Sequence, residues 1–270
     1  MANIVFVDHN INNFHANTFC KLLQERNTGF RVAGAFANCK DTLAEWGRQF
    51  GVPVFDTIEA LRDLADYVMV LAPSNPETHL ELCRKAFALG KPTYIDKTFA
   101  PNLAVAEEIF ALADHHGIPI QSTSVLRYTE VQEYCRASGL QPRFAATWAT
   151  GGNFDEYIIH PVEMIISIMG HEVEAIGHNR VAGFDFIRLK FSGDREGHIH
   201  MHLAPHAVPY FAVVSNEKET RSIEVDRTKL FASGLNGILD FFRDPTANQI
   251  DRRETLAIMR ILDELKALRR

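Results

Sequence analysis

Two rhythms of apolar and polar positions follow one another along this chain. From residue 3 to about 123, short apolar runs at 4–7, 32–36, 67–72, 93–95 and 119–122 are separated by stretches with helical spacing. This is the pattern of repeated βα units that assemble a parallel sheet. Between the runs, Leu43, Trp46 and Phe50 recur on one helical face. Asn75 stands where it would cap a helix with Pro76 at its first position that runs to Gly90, and Asn102 where it would cap one that runs to Gly117.

After residue 142 the rhythm changes. One helix is predicted near 160–169 with Gly170 as its stop, followed by short alternating strands at 188–191, 198–203, 210–214 and 222–225, set apart by Gly, Asp, Asn and Pro. From 237 to 270 helical spacing returns, with Leu256, Met259, Leu262 and Leu265 three or four apart. The expected fold is an α/β domain with a parallel sheet over 1–123, followed over 124–270 by an α+β domain with a mostly antiparallel sheet.

Composition narrows the function. Lys and Arg number 28 against 34 Asp and Glu, a net charge of −6 with no basic block, so nucleic acid is not an expected partner. The longest apolar run, 67–72, is far short of the roughly 20 residues that span a bilayer, and the opening MANIVFVDHN has no basic leader. A cytoplasmic location without membrane association is therefore expected. Cys20, Cys39, Cys83 and Cys135 form no Cys-x-x-Cys pair and are expected as reduced thiols in or near the core.

The stretch from Asp66 through Ala72-Pro73-Ser74-Asn75-Pro76 to His79, then Ala86 to Gly90, Lys91, Tyr94-Ile95-Asp96-Lys97 and Ala100, resembles the glucose–fructose oxidoreductase, inositol dehydrogenase and MocA (Gfo/Idh/MocA) family. In that family one strand ends in T-P or A-P ahead of a His, and the next ends in E-K-P. Downstream, Glu156-Tyr-Ile-Ile-His160-Pro-Val-Glu163 ahead of Gly170 looks like the family's D-x-x-x-H helix start, and Arg127-Tyr128 its R-Y pair. The resemblance runs over almost the whole chain. It implies an α/β Rossmann-like doubly wound parallel sheet in the first domain and an open antiparallel sheet in the second, with a C-terminal helix that packs back on the first. It also implies NAD or NADP as cofactor, a small polyhydroxylated substrate, and pairing of copies through the open sheet as a homodimer or higher homo-oligomer.

The resemblance also implies site residues. Cofactor contacts fall on His9, Asn10, Ile11 and Asn12 in the first turn, on Ala72, Pro73, Asn75 and His79 after the third strand, and on Asp96. Lys97 and His160 are the catalytic pair, with Glu156 one turn before His160 to hold its ring, and Arg127 and Tyr128 join them at the substrate. Oxidation of a secondary alcohol needs a base for the hydroxyl proton and a donor to orient the oxygen. A Lys and a His can supply both.

The departures are local. Asp8, Asn10 and Asn13 occupy the three fingerprint glycine places, whose jobs are the tight turn, close approach of backbone to pyrophosphate, and helix packing on strand. Phe36-Ala37-Asn38 brings no acid to the ribose, and no cation follows until Lys40. Asp96 and Thr98 flank Lys97 where the family has Glu and Pro, which removes the usual reason for a cis peptide there. Two alternatives follow: a family-derived protein that has lost the dinucleotide and acts as a ligand-binding or regulatory module, and a metal-assisted enzyme. The second rests on His198, His200 and His202, with His206 after them, which share one strand face and could be metal ligands or rings lining a sheet face.

Overall fold

The computed structural model describes residues 1–204 and 209–269. They divide into two compact units, 1–123 with 235–250, and 124–234 with 251–270. In chain order the first run comprises β1 (Ala2–Asp8), α1 (Phe14–Glu25), β2 (Phe30–Ala37), α2 (Leu43–Phe50), β3 (Tyr67–Val70), α3 (His79–Phe87), β4 (Thr93–Asp96), α4 (Leu103–His116) and β5 (Ile120–Thr123). Then come α5 (Glu130–Ser138), β6 (Phe144–Gly151), α6 (Phe154–Tyr157), α7 (Ile159–Met169), β7 (Val173–Val181), β8 (Phe184–Phe191), β9 (Arg195–Leu203), β10 (Phe211–Ser215) and β11 (Thr220–Glu224). Three helices close the chain: α8 (Leu230–Arg243), α9 (Pro245–Asn248) and α10 (Arg252–Leu268).

The first unit is a Rossmann-like sheet of parallel strands ordered β2-β1-β3-β4-β5. Ile4, Val5, Phe6 and Val7 of β1 are all fully buried. A strand buried on both faces needs consecutive apolar residues rather than alternating ones, which is why these runs stand out in the sequence. Helix boundaries follow local chemistry. Asn102 Oδ1 accepts from Val105 N at 3.0 Å to open α4, and Gly117 closes it at φ +63°, where only a residue without Cβ is at ease.

One predicted boundary is corrected. Asn75 makes no side-chain capping bond; Pro76–Thr78 form a 3-10 turn, in which Thr78 N donates to Asn75 O at 2.9 Å, and α3 begins at His79. It ends at Phe87, three residues before Gly90. The C-terminal stretch is likewise three helices. Asp244, ahead of Pro245, accepts from Thr246 N and Ala247 N to start α9, and Asp251 from Arg253 N to start α10.

Residues 235–250 complete the first unit. Phe242 stacks on Tyr67 at 4.7 Å, Gln249 Nε2 donates to Ile120 O at 2.9 Å, and Ile250 N to Gln121 Oε1 at 3.0 Å.

The second unit holds a sheet ordered β11-β10-β6-β9-β8-β7, antiparallel except for the β6–β9 pair. Its inner face carries Ile187, Leu189, Phe191, Ile199, Met201, Ala212 and Val214, all buried. A Cβ on Gly197 would lie 2.8 Å from Ile165 Cγ2, so this glycine admits α7 against β9. On the other face His200 stacks on Trp148 at 4.4 Å, His202 on Phe184 at 4.3 Å, and His198 meets Phe144 edge-on while its Nε2 faces Glu196 at 3.1 Å. Each imidazole is packed against a separate aromatic ring, and among the described residues no group of three His, Cys, Asp or Glu side chains is placed to hold a metal ion. Among the described residues the metal-ligand alternative for His198, His200 and His202 therefore gains no support. His206 lies outside the described residues.

Cys20, Cys83 and Cys135 are buried, Cys39 is half-buried, and all four are free thiols. Burial pushes the Cys20 thiol up to about 12. Among the described residues no helix is long and apolar enough to cross a membrane.

Candidate functional site

In the first unit the candidate residues stand at the carboxyl ends of β1, β3 and β4. The first turn is built from side chains. Asn13 Oδ1 caps α1 by accepting from Ala16 N at 3.0 Å, while its Nδ2 donates to Asp8 Oδ2 and to Asn10 O, both at 2.8 Å. Asn10 N donates to Asp8 Oδ1 at 3.0 Å, Asn12 N to Asn10 Oδ1 at 3.3 Å, and Asn13 N to Ile11 O at 2.8 Å. Backbone amides that a glycine loop would leave open to an anion are here satisfied from within. Asp8 itself has no exposed surface. Burial pushes its carboxyl up to about 7, against donors from Asn13, Ala72 and Asn10, and Asp96 nearby adds to the rise.

The turn still offers donors to a phosphate. The Asn10 oxygen also takes Thr42 Oγ1 at 2.9 Å, and the Asn12 oxygen takes Asn17 Nδ2 at 3.2 Å. Both residues are exposed, and these bonds engage their side-chain oxygens rather than their NH2 donors. The donor set therefore fits a pyrophosphate through carboxamides in place of bare backbone. Ile11 is fully buried, and His9 is half-buried with Cys39 Sγ 3.6 Å from its Nε2.

After β3 the backbone bends at Ala72, whose φ of +45° lies in the region that favours glycine. His79 holds the bend. It is fully buried, with Nε2 2.9 Å from Leu71 O and 3.2 Å from Ala72 O, and Nδ1 3.0 Å from Phe99 O. The expectation that its ring contacts a cofactor is corrected: both nitrogens face the backbone, and His79 shapes the Ala72-Pro73 turn instead.

At the end of β4, Lys97 is 5% exposed and its Nζ donates to Pro73 O at 3.3 Å. The Lys97–Thr98 peptide is cis although Thr98 stands where the family has Pro, which corrects the expectation drawn from that replacement. Asp96 is also buried, so it supports rather than lines the site. Its Oδ1 accepts from Lys97 N at 2.9 Å, and its Oδ2 lies 2.5 Å from His15 Nδ1. His15 was not singled out in the sequence. It stands 81 residues from its partner, and no local pattern joins them.

In the second unit the chain leaves β5 through Ser124. This fully buried residue accepts from Leu126 N at 3.2 Å, opening a 3-10 turn over Val125–Arg127. Its Oγ lies 2.6 Å from Nδ1 of His160, the second residue of α7. One turn further along α7, Glu163 accepts from the Ser124 amide and from Arg127 Nε at 2.5 Å. Arg127 Nη2 donates to Glu254 at 2.6 Å. Burial opposes the guanidinium charge, but Glu163 and Glu254 outweigh it and hold Arg127 above its ordinary value. Arg127, expected at the substrate, is thus the centre of an internal ion-pair triad, while Tyr128 beside it is half-buried. Glu156, expected to hold His160, is half-buried and takes Asn153 Nδ2 at 3.1 Å.

Residues 11–124 match the model of an oxidoreductase family described as having an NAD-binding Rossmann fold, GFO_IDH_MocA. The uncharacterized oxidoreductase YhhX of Escherichia coli strain K12 is 35% identical over 65 residues, 24% of this chain and 19% of its own. The match thus spans about a fifth of that curated relative's length. Solved structures are similar over the whole chain. UDP-N-acetylglucosamine 3-dehydrogenase GnnA from Acidithiobacillus ferrooxidans covers 100% of this chain and 97% of its own at 14% identity, with a TM-score of 0.80. An oxidoreductase from Agrobacterium radiobacter, solved with NAD+, L-tartaric acid and magnesium, covers 99% and 96% at 14% identity, with a TM-score of 0.77. Identities this low establish a shared fold alone, and the sequence match to the Gfo/Idh/MocA oxidoreductase family extends over residues 11–124.

Proposed function

We propose that this chain is a cytoplasmic NAD(P)-dependent oxidoreductase that transfers a hydride between a nicotinamide cofactor and a sugar, cyclitol or related polyol. The observation that carries this is the buried Lys97 at the end of β4, held through its backbone by Asp96 and through Nζ by the Pro73 carbonyl. A cation in that setting is pre-aimed rather than solvated. The bound cofactor supplies the hydride acceptor. Asn10 and Asn12 would hold the pyrophosphate through their carboxamides, and with no acid after Phe36-Ala37 either form of the adenosine ribose would be admitted. Lys97 and His160 hold and move the proton of the reacting hydroxyl.

Equilibrium binding of NADH and NADPH, followed by nicotinamide fluorescence, is the first test, and micromolar binding is expected. A polyol screen follows, in which Lys97→Met and His160→Ala each abolish turnover while the circular dichroism spectrum is unchanged. Turnover that survives either substitution removes that residue from the mechanism. The self-satisfied first turn over a buried Asp8 favours a second reading, a ligand-binding or regulatory module without dinucleotide. No binding at millimolar cofactor would establish it over the first.

The outward face of the second sheet, with Trp148 stacked between Phe211 and His200, supports pairing of two copies through that surface. Trp148→Glu is expected to shift the mass measured by light scattering from two chains to one.

A further inference from the structure

The contact between Ser124 and His160 brings together two groups from separate segments of one unit. Ser124 is fully buried, and its hydroxyl oxygen has two neighbours. Leu126 N donates to it at 3.2 Å, and His160 Nδ1 lies 2.6 Å away. A hydroxyl has one proton and two lone pairs. One lone pair is taken by the Leu126 amide, and the hydroxyl proton needs an acceptor, because a buried donor left unpaired costs the full desolvation of that group. His160 Nδ1 is the acceptor within reach. Glu163, which faces the same residue, is satisfied by the Ser124 backbone amide and by Arg127, and these bonds set the α7 face carrying both His160 and Glu163 against Ser124.

We propose that Ser124 is a positioning residue that fixes the neutral His160 ring as the Nε2–H tautomer, so that His160 meets the substrate oxygen as a hydrogen-bond donor. The hydroxyl of Ser124 donates to Nδ1, which leaves the ring's single proton on Nε2. A neutral imidazole in this form has no lone pair at Nε2, so His160 serves there as a donor and not as the base. The tautomer assignment stands on the hydrogen-bond geometry alone; the role at the substrate rests on the oxidoreductase reading.

The test is the 15N spectrum of histidine-labelled full-length protein at pH 8.5, with the His160 signals identified by their loss in His160→Asn. The expected result is Nδ1 as an unprotonated, hydrogen-bond-accepting nitrogen and Nε2 as a protonated one. In Ser124→Ala the ring is expected to become a mixture of tautomers, and in Ser124→Thr, which restores the hydroxyl, to return to the wild-type form. Ser124→Cys repeats the test with nearly the original volume and a weaker donor. Protonated Nδ1 in the wild type, or an unchanged tautomer in both Ser124→Ala and Ser124→Cys, overturns the proposal.

Kinetics separate the two layers. With a turned-over polyol, Ser124→Ala is expected to lower kcat about a hundredfold, the scale of a displaced acid–base partner, with KM changed less than about twofold and kcat recovered in Ser124→Thr. A rise in KM alone overturns the positioning role. If the wild type shows the Nε2–H ring but binds no dinucleotide, the oxidoreductase reading fails while the assignment of Ser124 stands.

Discussion

The first βα turn and the junction after β5 are both polar and both seated at the carboxyl end of a strand, but they treat buried charge in opposite ways. At the junction Arg127 lies between two carboxylates, so burial is answered by opposite charge. In the turn Asp8 is sealed under amides with no cation among its partners, and Asp96 adds a like charge. Amide donors offset part of the desolvation of a carboxylate, and a cation adds a Coulombic attraction that the desolvation of a buried pair can still exceed. At the junction burial still holds the Glu163 carboxyl above its ordinary range despite Arg127, which is itself held above its ordinary value, while in the turn Asp8 is pushed up to about 7.

The largest effect expected from breaking this contrast is at the junction. Arg127→Met leaves Glu163 and Glu254 together without their cation, and should lower the unfolding free energy by about 4 kcal/mol, measured by urea denaturation at pH 7.

The turn should respond in the opposite direction. Below 3.8, the ordinary value for an aspartate, Asp8 is protonated whether the chain is folded or not. Between 3.8 and about 7 the unfolded chain releases a proton that the folded chain retains, so stability falls as pH rises and levels off above about 7. The full displacement corresponds to about 4 kcal/mol. Asp8→Asn removes the ionisation but keeps only one acceptor for the amides around it, so about 2 kcal/mol should be recovered at pH 8 and close to nothing at pH 4. Thermal melts across that range check both the sign and the window.

The smallest of the three effects is at the cap. Asn13→Ala removes the acceptor for Ala16 N and a donor to Asp8, and should cost about 1 kcal/mol at pH 5 and more at pH 8, where the Asp8 carboxylate then lacks that donor.

Much of this architecture could be read from the chain alone, for reasons visible in particular residues. Runs such as Ile4–Val5–Phe6–Val7 are legible because both faces of β1 are covered, and Asn102 and Gly117 mark α4 because cap chemistry is local. Asn75 misleads because the chain after it first forms a 3-10 turn over Pro76–Thr78 and becomes α-helical only at His79. β6 and β7 were not singled out: β6 is a run of small residues around Trp148, and β7 is largely exposed, so neither carries the alternation that marks a half-buried strand.

The candidate site divides in the same way. Lys97 and His160 are legible through motif resemblance. Ser124, His15 and Glu254 are not, since each matters through a partner 36, 81 or 127 residues distant that only the fold brings near. Motif resemblance pointed to Arg127 and His79 as ligand contacts, whereas the fold places Arg127 between Glu163 and Glu254 and His79 against backbone carbonyls.

The return of residues 235–250 to the first unit has a consequence for the chain as it is made. β5 is an edge strand of its sheet, and the bond that covers Ile120 O comes from Gln249, 129 residues later. At ribosomal rates of roughly 5–20 residues per second, that stretch takes on the order of ten seconds to synthesise. For that interval the nascent Rossmann sheet shows an uncovered edge and a Tyr67 ring without Phe242 against it, the kind of surface that neighbouring chains and chaperones engage.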